Sequence, residues 1–380
     1  MSLHQPLFDF VGVFKISAVV TGLFLTAVVL GKEGKCPTIQ RLFAALILCL
    51  CGIIMASVFL FSGIYRVSPH LVGILPKLFF AFGPLLYLYT RGLTDADFSF
   101  HPGHLLHFLP LVLFFIWDIP FFLKSGQEKL ALFEKLLADP DPEFHLTLVF
   151  RFFHLGIYLV LSYLQLQKYH RRLKNHYSSL ARRRFRWLAN LVIASIVVLA
   201  GAVGFYLFWI RGGLLTVPLP RYLGLWEPLF LFLMGYGALS RPNFFTGGTL
   251  SRSEPGEKYR HSRLSAPQAR RYHDRLIRLM AEKKPYLDCD LTLQQLASLL
   301  NISPVYLSQV INQQMNQNFY DFINRQRIEE AKQRFLHPSQ EDTEILAVVF
   351  DVGFNSKSTF YEAFKKYTGM TPARFKKQTS

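Results

Sequence analysis

Between Lys357 and Lys366 the side chains Lys357, Ser358, Tyr361, Glu362 and Lys365 recur so that a helix would gather them on one face, with Phe360, Ala363 and Phe364 on the other. Cations, a hydroxyl and a carboxylate along one exposed helix face are hydrogen-bonding equipment, and such a surface fits a major groove. Equipment for catalysis is missing from the sequence: there is no glycine-rich phosphate loop, no nucleophile elbow and no paired histidine and acidic motif of a membrane hydrolase. The chain therefore reads as a non-enzyme without a cofactor. His101, His104 and His107 recur every third residue, but no carboxylate or cysteine follows at matching spacing, so no metal site is assigned. Cys36, Cys49, Cys51 and Cys289 also lack metal-ligand spacing and read as free thiols.

The elements that must hold the polar face are legible on either side of it. Ile345, Val348, Val349 and Val352 repeat at helical spacing, Gly353 supplies a left-handed stop, and Ser356 caps the helix that follows. The same grammar occurs upstream, from Leu291 to Gln314. There Leu293, Leu296, Ala297 and Leu300 form one helix face, Ser303 caps, Pro304 takes the first helical position, and Tyr306, Leu307, Val310 and Ile311 anchor the second helix. Phe319 to Leu336 joins the two units as a helix with Phe322, Ile323, Ala331 and Phe335 inward and a Glu330 to Arg334 pair in support. The duplication makes this a double helix-turn-helix.

Over Leu287 to Lys377 these motifs resemble the DNA-binding domain of the AraC/XylS family of bacterial transcription regulators. The resemblance implies double-stranded DNA as a partner and RNA polymerase as a second. It also implies that Val305, Ser308 and Gln309 of the first recognition helix, with Lys357, Ser358 and Glu362 of the second, face base edges, and that Asn312 and Lys365 lie nearer phosphate. Glu362 stands where the family often has arginine, and Val349 where it usually has a small alanine. A glutamate there can accept from the exocyclic amine of cytosine.

The first 240 residues are of another kind. The chain has 51% apolar residues, 37 phenylalanines, only 18% charged residues and a mean hydropathy of +0.24, and the apolar excess precedes position 240. Seven stretches approach the length of about 20 residues that spans a bilayer: Phe10 to Leu30, Leu42 to Ile64, Leu71 to Tyr89, Leu105 to Leu123, Phe144 to Leu166, Trp187 to Ile210 and Tyr222 to Leu239. The third is interrupted by Pro76, Gly83 and Pro84. The fold class expected is all-α, a seven-helix transmembrane bundle followed by a cytoplasmic double helix-turn-helix. Lys168 to Arg186 holds eight basic residues and no acid, whereas Lys124 to Glu143 is net acidic. Basic loops stay inside, so seven spans place the N-terminus outside and the C-terminus in the bacterial cytoplasm. The first span reads as uncleaved, because no small-residue cleavage site follows it and its basic flank, Lys32 and Lys35, comes after.

The expected organisation is thus a sensor domain over 1–240, a basic juxtamembrane connector over 241–286 and the DNA-binding domain over 287–380. Of the net charge of +17, 21 basic against 11 acidic residues lie before position 241. Arg241 to Lys284 carries 11 basic residues against four acids, which suits attraction to anionic membrane lipid or to DNA phosphate. Tyr272, Leu276 and Leu279 make a narrow stripe that fits either a seam between the protomers of a homodimer or packing onto the DNA-binding domain. Lys15, Lys77, Asp118, Arg151 and Glu227 fall within five spans, toward the outer side. Charges there are costly unless paired or wet, so they either brace the bundle or line a sensor pocket for a small molecule, lipid head group or proton. The rival to a membrane-embedded regulator is a receptor or transporter-like protein whose C-terminal domain binds another protein.

Overall fold

The computed structural model describes residues 10–31, 36–95, 97–179, 186–210, 224–239, 264–336 and 344–379. Among them the chain is helical apart from turns and one isolated bridge. It divides into two compact units, the first comprising 1–167 and 184–252, the second 168–183 and 253–380.

The first unit contains α1 (Phe10–Gly31), α2 (Pro37–Phe61), α3 (Phe79–Thr94), α4 (Leu109–Trp117), α5 (Ile119–Phe122), α6 (Gly126–Ala138), the larger part of α7 (Pro142–His176), α8 (Arg186–Ile210) and α9 (Trp226–Leu239). Its centre is α2, whose Phe43, Leu46, Ile47 and Ile54 are wholly buried against α1, α3 and α9. Small residues permit the close approaches, as between helices in lipid. A Cβ on Gly22 would lie 2.5 Å from Cys51 Sγ, and one on Gly83 would lie 2.9 Å from Tyr158 Cβ. Outward faces are apolar: Val20, Phe24, Phe153, Leu164 and Val197 are all more than half exposed.

By length and composition five helical stretches could cross a membrane: Phe10–Gly31, Pro37–Phe61, Pro69–Thr94, Pro142–His176 and Trp187–Phe208. The third is built as expected around its breakers, with 3-10 turns at Pro69–Leu71 and Leu75–Leu78 leading into α3, which keeps Pro84 in its interior. The fourth and seventh expected stretches are shorter helices. The fourth is divided because Pro110 and Pro120 each start a helix and Asp118 sits between them, leaving α4 and α5 after a 3-10 segment at Pro102–Phe108. The seventh is represented by the 14 residues of α9. The acidic stretch after the fourth carries structure of its own. Ser125 and Glu128 form a capping box that starts α6, and Glu134 pairs with Arg66 at 2.9 Å. The basic residues Arg182, Arg183 and Arg184, the flanks Lys32 and Lys35, and the connector from Arg241 to Arg263 lie outside the described residues.

The second unit is an all-α domain of α10 (Ala266–Lys283), α11 (Leu293–Leu299), α12 (Pro304–Met315), α13 (Phe319–Leu336), α14 (Ile345–Asp351), α15 (Lys357–Thr368) and α16 (Pro372–Thr379). It has two apolar clusters. One joins Leu276, Leu279 and Met280 of α10 to Leu293, Leu296, Leu307, Ile311, Phe322 and Ile323; the other joins Ile328, Ala331 and Phe335 to Val348, Val349, Val352, Phe360 and Phe364. The stripe on α10 is therefore spent inside this domain's own core. Val349 is fully buried in the second cluster beside Phe360 and Phe364.

Gly353, between α14 and α15, has φ +90°, and a Cβ there would fall 2.6 Å from the Tyr286 carbonyl oxygen and 2.8 Å from that of Leu287. Gly353→Ala should accordingly destabilise the second unit by about 2 kcal/mol or more, since left-handed strain and backbone overlap act together. Hydrogen exchange in the full chain should show faster exchange of the α14 and α15 amides; protection equal to that of the parent would contradict the assignment.

Candidate nucleic-acid interface

In α12 the Ser303 side chain accepts a hydrogen bond from the Tyr306 amide at 3.2 Å, and Pro304 occupies the first turn, where no amide proton is required. Such a cap contributes about 0.5–2 kcal/mol. Leu307, Val310 and Ile311 are buried, which turns Asn312, Gln313 and Gln314 to solvent and leaves Val305, Ser308 and Gln309 half-buried. The outward amides are tied along the helix: Asn312 Nδ2 donates to Ser308 Oγ at 3.1 Å, and Gln309 Nε2 donates to Gln313 Oε1 at 3.1 Å. Gln313 is a member of this face that the sequence reading passed over, although its spacing of four from Gln309 marks it. The helix carries no charged residue.

In α15 the Ser356 side chain accepts from the Thr359 amide at 3.3 Å, while Phe360, Ala363 and Phe364 are buried. Lys357, Ser358, Glu362 and Lys365 are exposed, and the Lys357 ammonium lies 5.5 Å from the centre of the Tyr361 ring. The second helix is thus charged where the first is neutral.

Within the second unit, the two helix-turn-helix motifs are joined by a residue that the sequence reading missed. Arg327 of α13 is 1% exposed. Its Nε donates to the Tyr286 carbonyl at 2.7 Å and its Nη2 to the Asp288 carbonyl at 2.7 Å, and the guanidinium lies 5.5 Å from the centre of the Phe354 ring. Burial pushes its pKa down to about 10, so it stays charged at neutral pH. The signal was present, because Arg327 lies four residues from both Ile323 and Ala331 on the buried stripe of α13.

Two carboxylates brace the same scaffold. Glu330 accepts from Lys284 at 2.9 Å and Tyr286 at 3.0 Å and pairs with Arg334 at 3.4 Å, the pair expected from the sequence. Asp321 accepts from Lys366 at 2.7 Å and Tyr367 at 3.2 Å. Burial works to raise both acids, but for Glu330 the bonds from Lys284 and Tyr286, and for Asp321 those from Lys366, Asn318 and Tyr367, outweigh it and hold the pKa below the ordinary value. A carboxyl whose native pKa is lowered contributes stability above its unfolded pKa and loses it as the pH falls through the native one.

The expected sensor residues are distributed in the first unit. Lys77 forms an ion pair with Asp118 and donates to the Gly73 carbonyl at 2.9 Å. Lys15 donates to Ser57 Oγ and lies within the electrostatic reach of Glu227. Arg151 lies over the rings of Phe79 and Phe80 at 5.3 and 5.9 Å. His104 and His107 stack, the His101 ring lies tilted beside His104, and His107 Nδ1 is 2.9 Å from Tyr158 Oη. Among the described residues no group of three or more His, Cys, Asp or Glu is placed to hold a metal ion.

Glu330→Gln should lower the stability of the second unit at pH 7, with the difference from the parent closing as the pH drops below about 4.5. Denaturant unfolding at a series of pH values measures this; a difference that persists unchanged at pH 3 would mean the loss is one of packing.

Residues 296–378 match the model of a helix-turn-helix domain family. The transcriptional regulatory protein YesN of Bacillus subtilis is 27% identical over 106 residues, covering 27% of this chain and 28% of its own. The melibiose operon regulatory protein of Escherichia coli is 26% identical over 117 residues, covering 31% of this chain and 37% of its own. The solved C-terminal domain of AraT, a response regulator from Geobacillus stearothermophilus, is 32% identical, covering 31% of this chain and 88% of that one, with a TM-score of 0.25. The chain spans about a third of the length of these curated relatives. The family match thus places a helix-turn-helix domain at residues 296–378, within the second unit.

Proposed function

We propose that the chain is a sequence-specific DNA-binding transcription regulator embedded in the bacterial cytoplasmic membrane, with the apolar half sensing a signal and the C-terminal domain reading an operator. The observation that carries this reading is the pair of capped recognition helices, α12 and α15, whose polar faces are turned to solvent, on one chain with five helices apolar and long enough to cross a bilayer. The large exposed apolar side chains of α1, α7 and α8 support it, since a water-soluble surface rarely carries so many in continuity. The names of the two relatives, which call them regulatory proteins, agree with a role in transcription.

On this reading Val305, Ser308 and Gln309, with Lys357, Ser358 and Glu362, contact base edges, and Asn312 and Lys365 contact phosphate. Arg327 sets the spacing between the two helices, which enter successive major-groove turns about 34 Å apart. RNA polymerase is the second macromolecular partner and membrane lipid the solvent of the first unit. The Lys77 and Asp118 pair, together with Lys15, Arg151 and Glu227, supplies the groups through which a small ligand, lipid head group or proton would shift the helices between two packings.

Selection of bound fragments from random duplex DNA by the full chain in detergent should yield one bipartite site. Gln309→Ala or Lys357→Ala should each cost about 1–3 kcal/mol at one half of it and relax the preference there. Absence of any preferred sequence, even at low salt, would leave the domain to a protein partner instead. A reporter active only in the cytoplasm should give signal at the C-terminus and none when inserted after Ala138; the reverse pattern would defeat both the orientation and the DNA-binding role.

A further inference from the structure

Residues 168–183, which take in the end of α7 and the stretch just beyond it, cluster with the C-terminal domain although they precede the rest of it by some seventy positions. The contact is made by Tyr177, Ser178 and Ser179, immediately beyond the end of α7 at His176. Tyr177 forms an antiparallel bridge with Thr292. The Ser178 amide donates to the Leu291 carbonyl at 3.2 Å and its Oγ donates to the same oxygen at 2.7 Å. Arg327 donates from Nη1 to the Ser178 carbonyl at 3.3 Å and from Nη2 to Ser178 Oγ at 3.2 Å. Ser179 Oγ donates to Asn355 Oδ1 at 2.9 Å. Ser178 is 1% exposed, as deeply buried as the arginine that holds it.

Three properties of this contact stand out. It touches the start of the first helix-turn-helix at Leu291 and Thr292, the joining helix at Arg327, and the turn before the second recognition helix at Asn355, so one tripeptide bridges both helix-turn-helix motifs. Its described contacts are hydrogen bonds, and neither apolar cluster of the domain includes a residue of the segment. Arg327 keeps the Tyr286 and Asp288 carbonyls when the segment leaves, and water can take the place of the serine. A polar contact of this kind, made by a tethered strand at high effective concentration, is suited to reversible docking.

We propose that Tyr177–Ser179 is a latch, that its receptor is the Leu291, Arg327 and Asn355 surface of the C-terminal domain, and that its seating fixes the two helix-turn-helix units in one relative orientation. Since the latch continues directly from α7, movement of that helix seats or withdraws it. The docking stands independently of the DNA-binding reading; its effect on DNA rests on that reading. Fixing the units in advance lowers the ordering cost of engaging two grooves, so the seated state binds DNA more tightly.

The test uses the full chain in a Cys289→Ser background, with a protease site inserted after Gly248 and the pair Ser179→Cys and Asn355→Cys joined by a short thiol-to-thiol linker. After cleavage the two fragments should stay together on a denaturing gel, while either single variant should let them separate. Ser178→Ala, which removes only the hydroxyl, should lower the yield of joined fragments by about fivefold, and Ser178→Trp, too large for the buried position, should abolish it. Both should weaken binding to the selected DNA site by about threefold or more, while the Ser178→Ala chain keeps the parent's helical content. Fragments that separate in the double variant would overturn the latch. Joining with unchanged DNA affinity in both Ser178 variants would overturn its control of the two units. A parent chain that joins but binds no DNA would sink the regulator reading and leave the docking standing.

Discussion

A guanidinium buried to 1% exposure holds the C-terminal domain in its observed form. Taking Arg327 out of water is costly, and among its described contacts the offset comes from backbone carbonyls, the Ser178 hydroxyl, the Asn324 side-chain oxygen and the face of Phe354. Those carbonyls belong to the approach to the first helix-turn-helix, and Phe354 belongs to the turn of the second. One side chain thereby makes the geometry of each unit a condition for burying the other. Gly353 is a consequence of the same constraint: the second turn must come so close to Tyr286 and Leu287 that no Cβ fits. Leu276 and Leu279 of α10 stabilise the arrangement from the other side by adding to the first apolar cluster.

The parts of this domain governed by neighbours in sequence were legible in the sequence. Ser303 and Ser356 cap as their positions demand, Gly353 has positive φ, and Leu307, Val310, Ile311, Phe360 and Phe364 are buried as their spacing requires. These are local effects of backbone chemistry and helical period. Arg327 was missed because the reading of α13 looked for apolar residues on the inward stripe and treated charge as a mark of the surface. Ser178 was missed for a different reason: its partners are more than a hundred positions away, and nothing in a serine between basic residues announces a buried hydroxyl.

In the first unit the apolar stretches were visible from composition, but composition does not fix where a helix stops. Asp118 and the prolines on either side of it divide the fourth stretch, and the carboxylate that interrupts the helix is the one that pairs with Lys77. The break and the ion pair are one feature, because a carboxyl between two helices is free of the helical direction that would otherwise aim it. The stripe of Tyr272, Leu276 and Leu279 had two readings in the sequence, and packing within the domain takes up both leucines.

The neutrality of α12 has a consequence for the medium in which DNA would be read. A helix without charge displaces few counterions from the duplex, whereas each phosphate neutralised by a cation lowers log K by about 0.9 per tenfold rise in salt. On the proposed reading the two halves of one site therefore respond differently to ionic strength. The half under Lys357 and Lys365 weakens as salt rises, and the half under Ser308, Gln309 and Asn312 holds. Amides and a hydroxyl, already aligned by bonds to one another, would keep their register on the bases after the electrostatic attraction has been screened away.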